Sequence, residues 1–402
     1  MAAGLRILEK TAMQGKLMSE HAKCFSVRRA LFPAGYYAAN SIYQGYISLY
    51  YTWLGFANAQ LGVISAATAA AALIFQPLWG MLGDRAGNRR QLLALLTLAA
   101  ACALPLAAAG RGYAVQIIAA FVFYAFFCAL LPLGDTILLQ ADGARFGAYR
   151  LAGGASFAAA GALFGLAANR LNALGAVWCA AALLGLTAAS ALLLPASPGT
   201  QREKRSPFSL LKDKRLSAML LFLLPLQMTM GYFYTFYAPW FKEIGGSEAL
   251  LGLGYLLSTA SEAPYLLLSA RIYRRFGAAK PMCAAAGLLA GRWLLLGLAR
   301  GPVAALLSQL LHGGGFIVIT VSMAYWISDQ VPDELRASGQ ALLNMVTFGV
   351  ARISGNLLGG ALAQALGRGG AFIAAAGVCA VAAALLIAFM LCTRTGRALE
   401  GR

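Results

Sequence analysis

Long apolar runs alternate with short polar or turn-forming breaks along almost the whole chain. The runs fall near 31–53, 59–83, 91–110, 112–133, 149–169, 173–194, 216–241, 247–270, 279–299, 301–326, 338–365 and 369–392. Each is about as long as the ~20 apolar residues a helix needs to cross a bilayer core. Twelve transmembrane helices are therefore expected, in an all-α membrane protein. The one long break, 195–215, holds Pro195, Pro198, Pro207 and a basic cluster, and it splits the runs into two groups of six. The predicted organisation is a tail over 1–30, a six-helix half over 31–194, a linker over 195–215 and a second six-helix half over 216–402.

The two halves resemble each other when the chain is shifted by about 190 residues. Leu61-Gly62 then falls on Leu251-Gly252, and Asp84-Arg85-Ala86-Gly87 falls on Arg274-Arg275-Phe276-Gly277. Trp53 and Trp240 each end the first run of their half. Pseudo-symmetric repeats of this kind build a site near the midplane with alternating access from the two sides. Small residues at four-residue spacing, Gly161/Gly165 and Gly355/Gly359, permit close helix approach.

Composition supports the membrane reading, with 60% of residues hydrophobic and only 11% charged, where soluble domains carry roughly a quarter. The net charge of +18 raises the question of nucleic acid, and placement answers it. Basic residues gather in alternate connections: Arg6, Lys10, Lys16, Lys23, Arg28 and Arg29 in the tail; Arg85, Arg89 and Arg90 after the second run; six in 202–215; four in 271–280. The intervening connections hold about one each, namely Arg111, Arg170, Lys242, Arg300 and Arg368. This is the positive-inside pattern. It puts both termini and the linker in the cytoplasm, predicts a multi-pass protein of the cell (inner) membrane, and leaves no role for nucleic acid. The tail lacks the apolar core of a cleavable signal, and a short amphipathic stretch is expected around Leu5 to Met18. The seven cysteines are scattered through apolar runs without metal or disulfide spacing. His312-Gly313-Gly314-Gly315 looks like an esterase oxyanion loop, but no G-x-S-x-G elbow accompanies it. No metal or phosphate-loop motif is present either, so neither an enzyme, a cofactor nor a metal is expected.

After the second run stands Gly80-Met-Leu82-Gly-Asp84-Arg85-Ala-Gly87-Asn-Arg89-Arg90. It matches the G-x-L-x-D-R-x-G-x-R-R loop of the major facilitator superfamily at all seven specified positions. The chain thus resembles that superfamily, which implies its two-bundle fold and a transport activity. In the family this loop braces the cytoplasmic side and sets the balance of outward-open and inward-open states. Gly87 is expected to permit a tight reversal, Asp84 to pair with a nearby arginine, and Arg89 and Arg90 to hold the loop at the anionic membrane face. Phe75-Gln76-Pro77-Leu78-Trp79-Gly80 and Phe146-Gly147-Ala148-Tyr149-Arg150-Leu-Ala-Gly153 resemble segments of the lactose and phenylpropionate permease branch. Arg292 and His312, twenty residues apart, resemble its arginine and histidine. Where that resemblance would put a carboxylate one turn after the histidine, this chain has Gly315. The glutamate of its eighth span would fall near Thr259, a turn from Glu262.

Ionisable groups inside spans are costly and so mark function. The candidates are Asp135, Arg150, Glu262, Arg292, His312 and Arg352. Proton coupling needs a carboxylate whose proton affinity changes with its surroundings, a role for Glu262 and Asp135. The alternative for Glu262 is a structural pair with Arg292. Three arginines against two carboxylates leave a surplus cation, and Arg150 and Arg292 could each grip a carboxylate bidentately. The depth of Arg352 is left open. Tyr36, Tyr43, Tyr46 and Tyr50 share one helical face, as do Phe233, Phe236 and Trp240. Of these, Tyr43, Tyr46 and Phe233, with Asn40, Asn344, Arg150, Arg292 and His312, are the candidate substrate contacts. The predicted function is secondary transport of a small organic solute by a monomer, with protons as the coupling partner. An aromatic or other small carboxylate stands slightly ahead of a sugar or nucleoside. The rivals are a proton-antiporting exporter of amphipathic compounds and a non-transporting solute sensor.

Overall fold

The computed structural model describes residues 26–171, 174–198, 207–332 and 335–392. Nearly all of the expected tail, including its amphipathic stretch, and the centre of the linker lie outside these. Every regular element among the described residues is helical. The first group comprises α1 (Val27–Trp53), α2 (Asn58–Arg85), α3 (Arg89–Ala103, continued by a 3-10 turn over Leu104–Ala108), α4 (Tyr113–Phe127), α5 (Leu130–Asp142), α6 (Phe146–Ala167) and α7 (Gly175–Ala191). The second comprises α8 (Lys214–Glu243), α9 (Glu248–Phe276), α10 (Ala279–Leu298), α11 (Pro302–Gln309), α12 (His312–Gln330), α13 (Arg336–Asn344) and α14 (Ala351–Cys392). A π-helical turn, Met345–Val350, joins the last two.

Seven helical stretches among the described residues are long and apolar enough to cross a membrane. Two of these, Tyr113–Ala167 and Ser338–Cys392, run to 55 residues, far longer than a ~30 Å hydrocarbon core requires. The second is broken at Gly367, whose φ is +73°. Large apolar side chains cover the exterior; Leu267 is 84% exposed and Leu151 74%. A surface of that kind is stable only against lipid tails.

The fourth and tenth apolar runs are each divided where an unbroken span was expected. Pro132 explains the break between α4 and α5, because its ring excludes the carbonyl four residues back, at Cys128. The tenth run breaks at Leu310-Leu311, just before the Gly313-Gly314-Gly315 run, whose residues favour helix weakly.

The repeat is visible in the backbone. Gly55 and Gly245 both have φ of +85° and end the first long helix of their group. Gly277 has φ of +70°, but its counterpart Gly87 is not left-handed. The reversal there runs through extended Ala86 and Asn88, and Asn88 caps α3 by accepting the Arg90 N–H. The expected need for glycine at the Gly87 turn is therefore corrected: extended backbone suits any residue.

Within the first group α1 packs on α6 and α7, and α3 on α4 and α7. Within the second, α14 packs on α8 and α10, and α12 on α9 and α10. The groups meet where α2 lies on α14, α6 on α9 and α1 on α8. The described hydrogen bonds that cross between groups lie toward the end opposite the Asp84 loop. Asn58 bonds Gln364 and the Ala363 carbonyl, Tyr255 donates to the Gly45 carbonyl at 2.9 Å, and Tyr46 reaches the Glu248 carbonyl at 3.4 Å. Backbone contact needs small residues there. A side chain at Gly62 would collide with the Asn356 carbonyl, and one at Gly165 with that of Glu248.

Candidate functional site

The second group places its charges in one line. Arg292, on α10, is fully buried. Its Nε donates to the Ser308 carbonyl at 3.1 Å and its Nη2 to Gln309 Oε1 at 2.9 Å. Its Nη1 lies 3.0 Å from His312 Nδ1. Its guanidinium also sits 4.3 Å over the Phe233 ring and 4.8 Å over Trp293. A guanidinium can only donate, so His312 Nδ1 accepts and the imidazole is neutral with its proton on Nε2. That Nε2 is 3.4 Å from Glu262 Oε1 and 3.5 Å from the Tyr234 hydroxyl. Glu262 is therefore not paired with Arg292, as the structural alternative had it. It meets the arginine through the histidine.

The backbone explains this reach. Gly313 follows His312, and a side chain there would strike the Ser261 carbonyl and the Glu262 backbone. The Gly313 N–H instead uses the close approach by donating to Ser261 Oγ at 2.9 Å. α12 thus lies directly on α9 at the carboxylate.

The first group holds a direct pair. Arg150 Nη1 lies 3.0 Å from Asp135 Oδ2, with side-chain exposures of 40% and 21%. The Arg150 guanidinium stands 5.7 Å from the Tyr37 ring and 5.9 Å from Phe146. Tyr37, on α1, feels the charges of Arg150, Asp135 and also Glu262. The pair and Glu262 thus lie on facing helical groups with Tyr37 within electrostatic range of both. Glu262 keeps 26% side-chain exposure, so the cleft between the groups is open to water.

Arg352 is the second residue of α14, just after the π-helical turn. Its guanidinium is 4.3 Å over the Tyr234 ring, and it lies within electrostatic range of Tyr124 on α4 and of His312. It faces the same cleft.

Several expected substrate contacts are placed elsewhere. Tyr46 is buried, and its hydroxyl donates to the Gly161 carbonyl at 2.8 Å. It joins the two groups there, and with Phe164, Pro239, Lys242 and Glu248 it lines a pocket of about 340 Å³. Tyr43 is buried against Phe123 and Phe127, and Phe233 is buried beneath Arg292. Arg292 is fully buried, with Nε, Nη1 and Nη2 each turned to a partner inside the protein, so the grip on a carboxylate expected of it is not available in this conformation. Asn40 is half-buried, with Nδ2 3.5 Å from Gln44 Oε1, and Asn344 is exposed beside the π-helical turn. Sequence reasoning missed Tyr37, Tyr234 and Gln309. Gln309 lies one turn before His312, and that spacing was the available signal.

At the loop, Arg89 is buried and donates through Nε to the Gly83 carbonyl and through Nη2 to Asp84 Oδ1, each at 3.1 Å. Arg90 Nη1 donates to the Leu194 carbonyl at 3.2 Å, and the Arg89 N–H to that of Ser197 at 2.8 Å. Asp84 and Arg89 flank a pocket of about 170 Å³ together with Gln76, Gly80 and Pro132. Arg85 and Gly87 are exposed. The loop is thus tied to the start of the linker, as a brace requires.

Comparison with known proteins agrees with this architecture. Residues 31–374 match the model of the MFS_1 like family. A maltose permease of Geobacillus stearothermophilus is 28% identical over 362 residues, covering 84% of this chain and 89% of that protein. A solved point mutant of the nucleoside transporter NupG superposes with a TM-score of 0.83 at 19% identity, covering 90% of this chain and 98% of the other. The POT family transporter PepTSo superposes with a TM-score of 0.74 at 11% identity, covering 94% and 99%. The chain belongs to the MFS_1 like family, and it is a secondary transporter of the major facilitator type.

Proposed function

We propose that this protein is a proton-coupled symporter of a sugar-class solute, built from twelve membrane-spanning segments. Dividing the two 55-residue stretches near Gly143 and Gly367, and adding Val27–Trp53, Gly175–Ala191 and Glu248–Phe276, gives that number. The halves are 31–194 and 216–402, joined by the 195–215 linker. The positive-inside pattern puts the Asp84 loop, both termini and the linker in the cytoplasm of a cell whose inner membrane holds the monomer. The inter-group hydrogen bonds then close the outer end, and the cleft opens inward.

The observation that carries the coupling is the line Arg292, His312, Glu262 at the cleft wall. Arg292 fixes the imidazole tautomer, so that Nε2–H points at the carboxylate. An ionised Glu262 accepts that hydrogen bond; a protonated one holds it more weakly. Proton uptake is thus transmitted to α12, the helix packed on both α9 and α10. Rocking of one half on the other moves the loaded site between the two sides.

The relative with a sugar in its name moves the substrate from the carboxylate that sequence alone set first. Purified protein in liposomes tests this reading. Maltose should exchange by counterflow and, added to energy-free vesicles, should alkalinise the outside. Glu262→Gln should retain counterflow and lose proton movement. Efflux driven by entering protons would instead mark an exporter, and binding without counterflow a sensor.

A further inference from the structure

We infer that Arg352 is the seat for an acidic group on the solute, so that the substrate is a sugar acid carried with one proton and no net charge. This rests on the sugar-transport reading above. Three arginines lie inside the helical groups near the cleft, and their surroundings differ. Arg150 has the Asp135 carboxylate. Arg292 has the Ser308 carbonyl, Gln309 and His312. Arg352 has Tyr234, through its ring and a side-chain hydrogen bond, and no carboxylate bridges it among the described residues. Its Nε is buried and has no hydrogen-bond partner there.

A guanidinium left in that condition is costly within a membrane. Its planar fork matches a carboxylate in a bidentate geometry. Arg352 also lies between the groups, with Tyr234 of α8 on one side and Tyr124 of α4 across the cleft. A solute in the cleft meets it. The aromatic neighbours supply faces for a sugar ring and hydroxyls for its oxygens.

Tyr234 stands between this seat and the proton site and touches both. Its ring underlies Arg352, while its hydroxyl lies 3.5 Å from His312 Nε2. Glu262 lies within electrostatic range of His312 from α12, Tyr234 from α8 and Tyr37 from α1, and Arg292 and Arg352 act on His312 and Tyr234 beside it. With Glu262 ionised and His312 neutral, this wall carries one surplus positive charge. Adding a proton to Glu262 and a monoanion to Arg352 restores the same surplus. Either one alone changes the charge held inside the membrane, and low dielectric magnifies that change. An acidic sugar therefore loads with its proton at no net change of charge, whereas a neutral sugar and a proton add one charge. The empty and acid-loaded carriers thus rock with equal charge.

Matched neutral and acidic sugars test this: maltose with maltobionate, and glucose with glucuronate. Wild-type protein should bind the acid of a pair about tenfold tighter or more, as a bidentate charged contact implies. Uptake of the acid should be proton-driven and indifferent to an imposed membrane potential. Arg352→Gln should erase the preference within each pair, and Arg352→Lys should keep part of it. A wild-type protein that binds the neutral member as tightly overturns the inference and leaves the sugar reading standing. Current during acid uptake also overturns it. If no member of either pair binds, or 3-phenylpropionate binds in their place, both readings fall. Should Arg352→Gln not fold, the wild-type comparison decides alone.

Discussion

Asp135 and Arg150 touch each other directly in the first group of helices, whereas in the second Glu262 reaches arginine only through His312. The first pair is partly exposed on both sides, so water screens it and either partner can let go cheaply. The second arrangement is buried from Arg292 through His312, and only its Glu262 end is open. It also has a direction, since a guanidinium donates and cannot accept. A direct pair tunes affinity and position. A directed line can report protonation at one end to packing at the other, and that difference is why the proposed proton coupling is placed in the second half.

Removing the buried end should have the largest effect. Arg292→Gln strips the donor from the Ser308 carbonyl, Gln309 and His312 at once. A loss of about 3–5 kcal/mol in stability is expected, because charged hydrogen bonds are lost and buried acceptors are left unpaired. Denaturant titration of purified protein measures it, and an unchanged midpoint would remove the basis for a buried line. Next comes Gln309→Leu, which frees only Nη2 of Arg292. It should cost about 1.5–3 kcal/mol and weaken proton-driven uptake more than counterflow. Equal loss of both would reduce Gln309 to a packing residue.

Glu262→Gln and Asp135→Asn compare the two walls as carboxylates. The first should uncouple proton movement from exchange. The second should leave coupling intact and alter apparent affinity by a few fold, the scale of a partly screened contact. Proton flux in liposomes separates them, and loss of coupling in Asp135→Asn would mean that the halves share the proton.

Much of this was legible in the chain. The apolar runs cover the seven stretches that are long and apolar enough to cross a membrane among the described residues, because burial in lipid demands apolar residues in continuous stretches. The charged candidates were also recognisable, because so few ionisable groups stand within those runs. Their partners were not. Whether Glu262 pairs with Arg292 or His312 depends on how closely α12 approaches α9, and that is set by Gly313 meeting the Ser261 backbone. Tyr46 does line a pocket, but at which end of the bundle was not legible, because a helical face says which way a side chain points and not what closes around it. Arg352 could not be placed because its depth depends on the π-helical turn just before it, Met345–Val350. Such a turn inserts a residue into the helical register without a sequence signature of its own.

The smallest effect expected is the coupling energy of Asp135 with Arg150, and it tests the comparison at its weaker side. Asp135→Asn leaves Arg150 beside the Tyr37 and Phe146 rings, which still attract a cation. Arg150→Gln leaves Asp135 without its cation and should be the more damaging single change. If the pair is partly screened, a double-mutant cycle on stability should give only about 0.2–1 kcal/mol between them. The double variant should then lie close to the sum of the singles. A coupling energy several times larger would mean that water does not reach this wall, and the contrast between an open pair and a buried line would fail.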